Sequence, residues 1–205
     1  MSEINKKRYK LSDSNYNKLV STKHQIVIGH TSSSNMKHIL AWKNRNNGEY
    51  KNTAPYTIDL DGNIFEHFDP KYYSDYLDNK DMNRYIIPIL LENEGWLLKD
   101  VKTKKYINWI GDTYDRDDEI FSLKWRNRSV WAPYSTKQQE SLVYLLEYLT
   151  KKFKIPMKTI GHNTKVDSIS DYNGIVFRSN YEKSYTDLSP AFDFEEFKNL
   201  INKEN

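Results

Sequence analysis

The chain has 205 residues, 38% of them hydrophobic and 14% aromatic, including 16 Tyr, 8 Phe and 5 Trp. That bulk is enough for a real core and excludes disorder over most of the length, which suits one domain. Lys and Arg number 31 against 28 Asp and Glu, a formal charge of +3. Such a small excess argues against a non-specific nucleic-acid binder, and no duplex nucleic acid is expected as a partner.

Cysteine is absent, which excludes a disulfide framework, a Cys-based zinc finger and a thiol nucleophile. The opening Met1-Ser2-Glu3-Ile4-Asn5-Lys6 lacks the apolar run of a signal peptide. No stretch of about 18 apolar residues occurs, so a cytoplasmic protein with no membrane partner is expected.

Residues 1–21 read as a polar N-terminal arm, loosely ordered over its first dozen residues, ahead of a domain over 22–205. Lys6-Lys7-Arg8 and Lys10 read as solvated charges of that arm. Gln25-Ile26-Val27-Ile28-Gly29 predicts a short buried strand. Ser32 to Asn35 then offer N-caps to a helix carrying Met36, Ile39, Leu40 and Trp42. A polar loop over 44–53 precedes a β-hairpin between Pro55 and Phe68, turning at Asp61-Gly62, where Gly accepts a positive φ freely. Ile86 to Leu91 is an apolar run of strand length, interrupted by Pro88. Residues 99–129 read as a charged, aromatic excursion with a short hairpin. Ser135-Thr136-Lys137-Gln138 has the form of a capping box, and Leu142, Leu145, Leu146, Leu149 and Phe153 follow at helical spacing until Pro156. Ile175 to Phe177 predicts one more strand, and Asp193 to Glu196 starts a last helix through Phe197, Leu200 and Ile201. Strands alternating with helices indicate an α/β (α+β) domain, a mixed β-sheet flanked by helices.

Four of these stretches, in order, resemble one family, the zinc-dependent N-acetylmuramoyl-L-alanine amidases and peptidoglycan-recognition proteins. Ile26-Val27-Ile28-Gly29-His30-Thr31 is similar to the family's opening strand, and Ala54 to Phe65 to its central hairpin. Ile87-Pro88-Ile89-Leu90-Leu91-Glu92-Asn93 is similar to the strand written I-G-I-E-L-x-N. Tyr185-Thr186-Asp187-Leu188-Ser189-Pro190-Ala191-Phe192-Asp193-Phe194 is similar to K-T-D-P-x-P-x-F-D-W. The resemblance spans roughly residues 22–202. It implies a cleft across the sheet in which two His and one Asp or Cys hold zinc and leave a fourth position for water. It also implies a Glu or Tyr beside that water and a Lys or other donor for the amide oxyanion.

Carried over residue by residue, the resemblance puts most of these roles on unsuitable side chains. The first zinc ligand falls at Gly29, with His30 one residue along and so directed to the opposite face of the strand. His30 reads as a satisfied core or helix-packing residue; ligation through a bulge is the alternative. Counting back nine residues from Asp187, the retained third ligand, reaches Arg178, whose guanidinium cannot ligate zinc. The hairpin Tyr falls at Ala54, its neighbouring His at Pro55, the Glu at Leu90 and the Lys at Tyr185. Glu92 stands two residues beyond Leu90, on the same face. His162, in Ile160-Gly161-His162-Asn163, lies 25 residues before Asp187 and reads as a surface or loop histidine, with a long insertion as the route by which it would ligate.

The expected function is therefore a catalytically inactive amidase-fold binding protein, without cofactor, whose former zinc cleft takes a small anionic ligand: a peptidoglycan fragment, or a nucleotide signal that it sequesters. The expected binding residues are Gly29, Ala54, Tyr56, Leu90, Glu92, Arg178, Tyr181, Tyr185 and Asp187, with Gly29, Arg178 and Asp187 together at the cleft floor and Arg178 and Asp187 paired, directly or through one water, in the space zinc would occupy. Trp125 and Trp131 offer further stacking faces, core packing being their plainer reading. Two alternatives stand: an active zinc amidase using His30, His162 and Asp187, and a structural or protein-interaction role in a phage or envelope component.

Overall fold

The computed structural model describes residues 3–116, 120–161 and 164–203. In chain order, the strands and helices are β1 (Ile4–Asn5), β2 (Gln25–His30), α1 (Lys37–Asn44), β3 (Tyr56–Ile58), β4 (Ile64–Glu66), β5 (Ile86–Leu91), β6 (Leu98–Lys99), β7 (Tyr106–Ile107), β8 (Phe121–Trp125), β9 (Arg128–Trp131), α2 (Thr136–Phe153), β10 (Gly174–Phe177), α3 (Arg178–Tyr181) and α4 (Phe194–Lys203). Six strands form one mixed sheet in the order β1-β4-β3-β5-β2-β10, and β6-β7 and β8-β9 form two accessory hairpins.

Strand β2 runs parallel to both neighbours, β5 and β10, and every residue of β2 and β5 is buried. Their unbroken apolar runs are what a parallel sheet covered on both faces requires. Alternation then divides the side chains between two cores. Ile26, Ile28, Ile87, Ile89, Ile175 and Phe177 face α2 and α4, packing on Leu142, Leu145, Leu146, Leu149 and Phe197. Val27, Leu90 and Val176 face the other way, towards Ile39, Trp42, Tyr76 and Ile169. Pro88 lies inside interior strand β5, opposite Val27, where a proline is rare. Burial of the run on both faces outweighs its missing N–H.

Helix α2 begins with a complete capping box: Ser135 Oγ accepts from Gln138 N at 3.1 Å, and Gln138 Oε1 accepts from Ser135 N at 3.1 Å. The β3–β4 hairpin turns through Gly62 at φ +83°, and a Cβ there would stand 2.8 Å from the Lys137 carbonyl of α2, so conformation and packing both require glycine.

Two expectations are corrected. Among the described residues, the segment ahead of β2 is not a loose arm: β1 pairs with β4, Leu11 and Tyr16 are buried, and Asn15 Nδ2 donates to the carbonyls of Trp42, Gly48 and Tyr50. Few apolar residues suffice here because the backbone supplies the contacts. Helix α1 starts after Met36 at φ +55° without a side-chain cap, so none of Ser32 to Asn35 caps it, and the Asn35 N–H donates to Glu92 Oε1 at 2.6 Å.

Candidate ligand site at the sheet edge

The site lies where β2 and β10 end, and strand alternation decides what it contains. Gly29 falls on the face of Val27 and Leu90, and His30 on the opposite face. A Cβ on Gly29 would point at Tyr76 Oη, 2.2 Å away, and Asp187 Oδ2, 2.4 Å away, with Leu90 Cδ2 at 3.4 Å. The His30 imidazole instead meets the Tyr134 hydroxyl through Nδ1 at 2.8 Å, and burial holds its pKa below the usual histidine range. Tyr134 Oη also accepts from Ser189 N at 3.2 Å, so the ring is anchored on the α2 side of the sheet.

Arg178 opens the single turn α3 directly after β10. Its fold-back is local: Asn180 Oδ1 accepts from Phe177 N at 2.7 Å, and Ser179 N donates to the Asp187 carbonyl at 2.9 Å, which returns Asp187 to Arg178. Arg178 Nη1 lies 3.9 Å from Asp187 Oδ2, with the arginine side chain 21% exposed and the carboxylate 5%. The guanidinium stands between two phenol rings, 4.6 Å from the Tyr76 centroid and 4.2 Å from that of Tyr185. Burial works against its charge, but the Tyr76, Asp187 and Tyr185 oxygens outweigh it, and the pKa is raised. Asp187 Oδ2 also accepts from His30 N at 3.3 Å. Burial keeps the Tyr76 phenol neutral, and its hydroxyl has no hydrogen-bond partner; neither does Arg178 Nε.

Sequence reasoning missed Arg126, at the β8–β9 turn. It donates to the carbonyls of Ser179 at 3.0 Å, Glu182 at 3.0 Å and Tyr185, clamping the loop that carries Asp187. Its φ of +45° and that of Asn127 at +61° belong to a tight two-residue turn, for which Arg126-Asn127 is a weak signal. Tyr76 was missed as well, since one tyrosine in a polar segment has nothing to distinguish it. Beside Tyr185 a pocket of about 270 Å³ opens, walled by Asp78, Lys165, Tyr181 and Glu182 among others.

The structure thus brings together Gly29, Leu90, Arg178, Tyr185 and Asp187, with Tyr181 lining the adjoining pocket. It does not bring in the rest. Tyr56 is wholly buried, its hydroxyl donating to Glu66 Oε2 at 3.0 Å, and Ala54 lies in the core on the α1 face. Glu92 lines a different pocket of about 170 Å³, with Asn35, Glu94 and Arg116. Trp131 is a core residue. His162 lies outside the described residues.

These residues do not fit a zinc ion. Asp187 is an adequate ligand, but the arginine beside it has no lone pair to give and repels a dication. The space an imidazole at position 29 would need is filled by the Tyr76 hydroxyl and Asp187 itself. Among the described residues, no three His, Cys, Asp or Glu side chains come together as a metal-binding group.

A model of the family described as N-acetylmuramoyl-L-alanine amidase matches residues 20–173, ending before Arg178 and Asp187. No curated protein matches the chain. Among solved structures, the amidase LysC from Clostridium intestinale URNW is 16% identical with a TM-score of 0.57, covering 98% of this chain and 99% of that one. The Ph2119 endolysin of a Thermus scotoductus bacteriophage is 12% identical at TM-score 0.55, covering 97% and 98%. The E. coli amidase AmiD, solved with anhydro-N-acetylmuramic acid-L-Ala-D-gamma-Glu-L-Lys, is 12% identical at TM-score 0.56, covering 95% of this chain and 66% of that one. At these identities the likeness is one of fold.

Proposed function

The chain belongs to the N-acetylmuramoyl-L-alanine amidase family, and we propose that it binds a peptidoglycan fragment at the Arg178–Asp187 site without hydrolysing it. One observation carries the reading: a fixed guanidinium, framed by Tyr76 and Tyr185, stands beside the single retained carboxylate, where the family resemblance puts a zinc-binding imidazole. A site of that charge prefers an anion to a dication. A muropeptide of the kind bound by AmiD carries a γ-linked glutamate, whose free α-carboxylate suits the exposed part of the Arg178 guanidinium, which keeps only a 3.9 Å ion pair with Asp187. Tyr185, whose ring also stacks on Arg178, lines the adjoining pocket.

The test combines metal, activity and binding. Purified protein is expected to carry well under one zinc per chain by elemental analysis and to release no peptide from muropeptides. The same muropeptide is expected to raise the thermal midpoint in proportion to its occupancy, since only the folded state binds it. Arg178→Gln and Tyr185→Ala should each abolish that rise. Stoichiometric zinc with chelator-sensitive release would establish an active amidase instead. Stabilisation by a nucleotide but not by the muropeptide would replace the ligand class.

A further inference from the structure

The excursion over residues 98–110 contributes nothing to the Arg178 site, yet it exposes large apolar side chains among exposed lysines. Leu98 is 47% exposed, Val101 80%, Trp109 52% and Ile110 50%. Lys99, Lys102, Lys104 and Lys105 lie in the same stretch, all exposed, and the only carboxylate among positions 98–110 is Asp100. None of the four lysines has a carboxylate partner among the described ion pairs.

Two turns hold the apolar residues out. In the first, Asp100 Oδ1 accepts from Lys102 N at 2.9 Å and from Thr103 N at 2.7 Å, with Val101 and Lys102 at the apex. Asp100 N donates to Lys105 O at 2.8 Å and closes the loop. In the second, Asn108 Oδ1 accepts from Ile110 N at 3.1 Å and Asp112 N at 3.0 Å, with Trp109 and Ile110 at the apex. Asn108 is itself fixed by Glu94, and the Trp109 indole N–H donates to Ser32 O at 2.8 Å. Asp112, the nearest following carboxylate, is taken up by Lys37 at 2.5 Å. The two turns close opposite ends of β7, so the lysines share a hairpin with the first apex, Val101, which the Asp100 bonds hold in place and leave in water.

We infer that the hairpin over residues 98–107 forms an interfacial docking element for an anionic phospholipid bilayer. The lysines would meet the phosphate layer while Val101 and Leu98 of the same hairpin enter the headgroup–acyl boundary, the division of labour that binds amphipathic segments to membranes; Trp109 and Ile110, in the turn at the other end of β7, take no part in it. Charge complementarity selects an anionic surface, and the exposed apolar apex selects one with an apolar phase beneath it; a soluble polyanion offers only the first. This differs from the expectation of no membrane partner, which rested on the lack of a spanning segment. Among the described residues no helix is long and apolar enough to cross a membrane, but surface docking needs none.

The test is co-sedimentation of the full chain with vesicles of phosphatidylglycerol and phosphatidylcholine, against pure phosphatidylcholine, at low and high salt. Binding is expected to the anionic vesicles only, and to weaken as salt screens the lysines. Each lysine near the surface is worth about fivefold in affinity, so Lys102→Gln, Lys104→Gln and Lys105→Gln together should weaken binding about 100-fold. Val101→Ser should weaken it about tenfold. All four positions are exposed, and an unchanged thermal midpoint would confirm that these variants fold. No binding to anionic vesicles would overturn the inference. So would an inert Val101→Ser beside harmful lysine variants, which would indicate a polyanion. A concentration-dependent dimer lost in Val101→Ser would make the occupant a second copy of the chain, and would also overturn it.

Discussion

Replacing Gly29 by alanine probes the site at its tightest point. Gly29 lies in an interior strand with ordinary extended backbone, so alanine brings no conformational penalty, and the whole effect is steric. The new methyl would stand 2.2 Å from Tyr76 Oη and 2.4 Å from Asp187 Oδ2. Neither can move freely: Tyr76 is 2% exposed and stacked on Arg178, and Asp187 is held by His30 N and Arg178. Overpacking of this kind costs about 1–3 kcal/mol. Tyr76→Phe removes the nearer of the two atoms. Alone it deletes a buried hydroxyl without a partner, so it should be neutral or stabilising, by up to about 1 kcal/mol. In the Gly29→Ala background it should recover part of the loss, with a coupling of about 0.5–3 kcal/mol. Urea unfolding of the four proteins measures this, as changes in midpoint at constant slope. A Gly29→Ala variant as stable as wild type, or strict additivity with Tyr76→Phe, would refute the packing described. The same geometry bears on metal: Gly29→His with Arg178→His restores two imidazoles but should regain zinc only when Tyr76 is also cut back to alanine.

Two further outcomes follow from buried polar groups. His67 Nδ1 must donate to Tyr9 O at 2.9 Å, so its Nε2 accepts from Thr57 Oγ1, which in turn accepts from His38 Nε2 at 3.1 Å. This tautomer chain is that of neutral rings, which burial enforces by pushing both pKa values down to about 3. The unfolded chain binds these protons near pH 6.5 and the folded one does not, so stability should fall as pH drops from about 6.5 towards 3. The slope should reach at most about 2.7 kcal/mol per pH unit for two protons. His38→Gln should flatten it in urea titrations between those limits, and a slope left unchanged would contradict the tautomer chain. Ser135 caps α2 and also donates to Leu60 O at 2.7 Å, so Ser135→Ala should cost about 1–2 kcal/mol, read from the unfolding midpoint.

What the sequence determined by itself is what local periodicity and short-range chemistry control. The two interior strands, the Asp61-Gly62 hairpin, the capping box at Ser135 and the helix to Phe153 are each legible because their hydrogen bonds or apolar spacing lie within one segment. Alternation along β2 also separated Gly29 from His30 before any contact was known, since neighbouring side chains must leave a strand on opposite faces. The segment before β2 was misread for the complementary reason: its order comes from Asn15 bonding to three distant carbonyls and from β1 joining β4, neither of which leaves a composition signal. The site shows the same limit. Spacing pointed to Arg178 and Asp187, but only the tertiary structure decided that Tyr76 fills the space above Gly29, that Arg126 clamps the loop from across the chain, and that Tyr56, Ala54 and Glu92 belong elsewhere. Those placements depend on how separate segments pack, and a one-dimensional pattern carries no term for the distance between them.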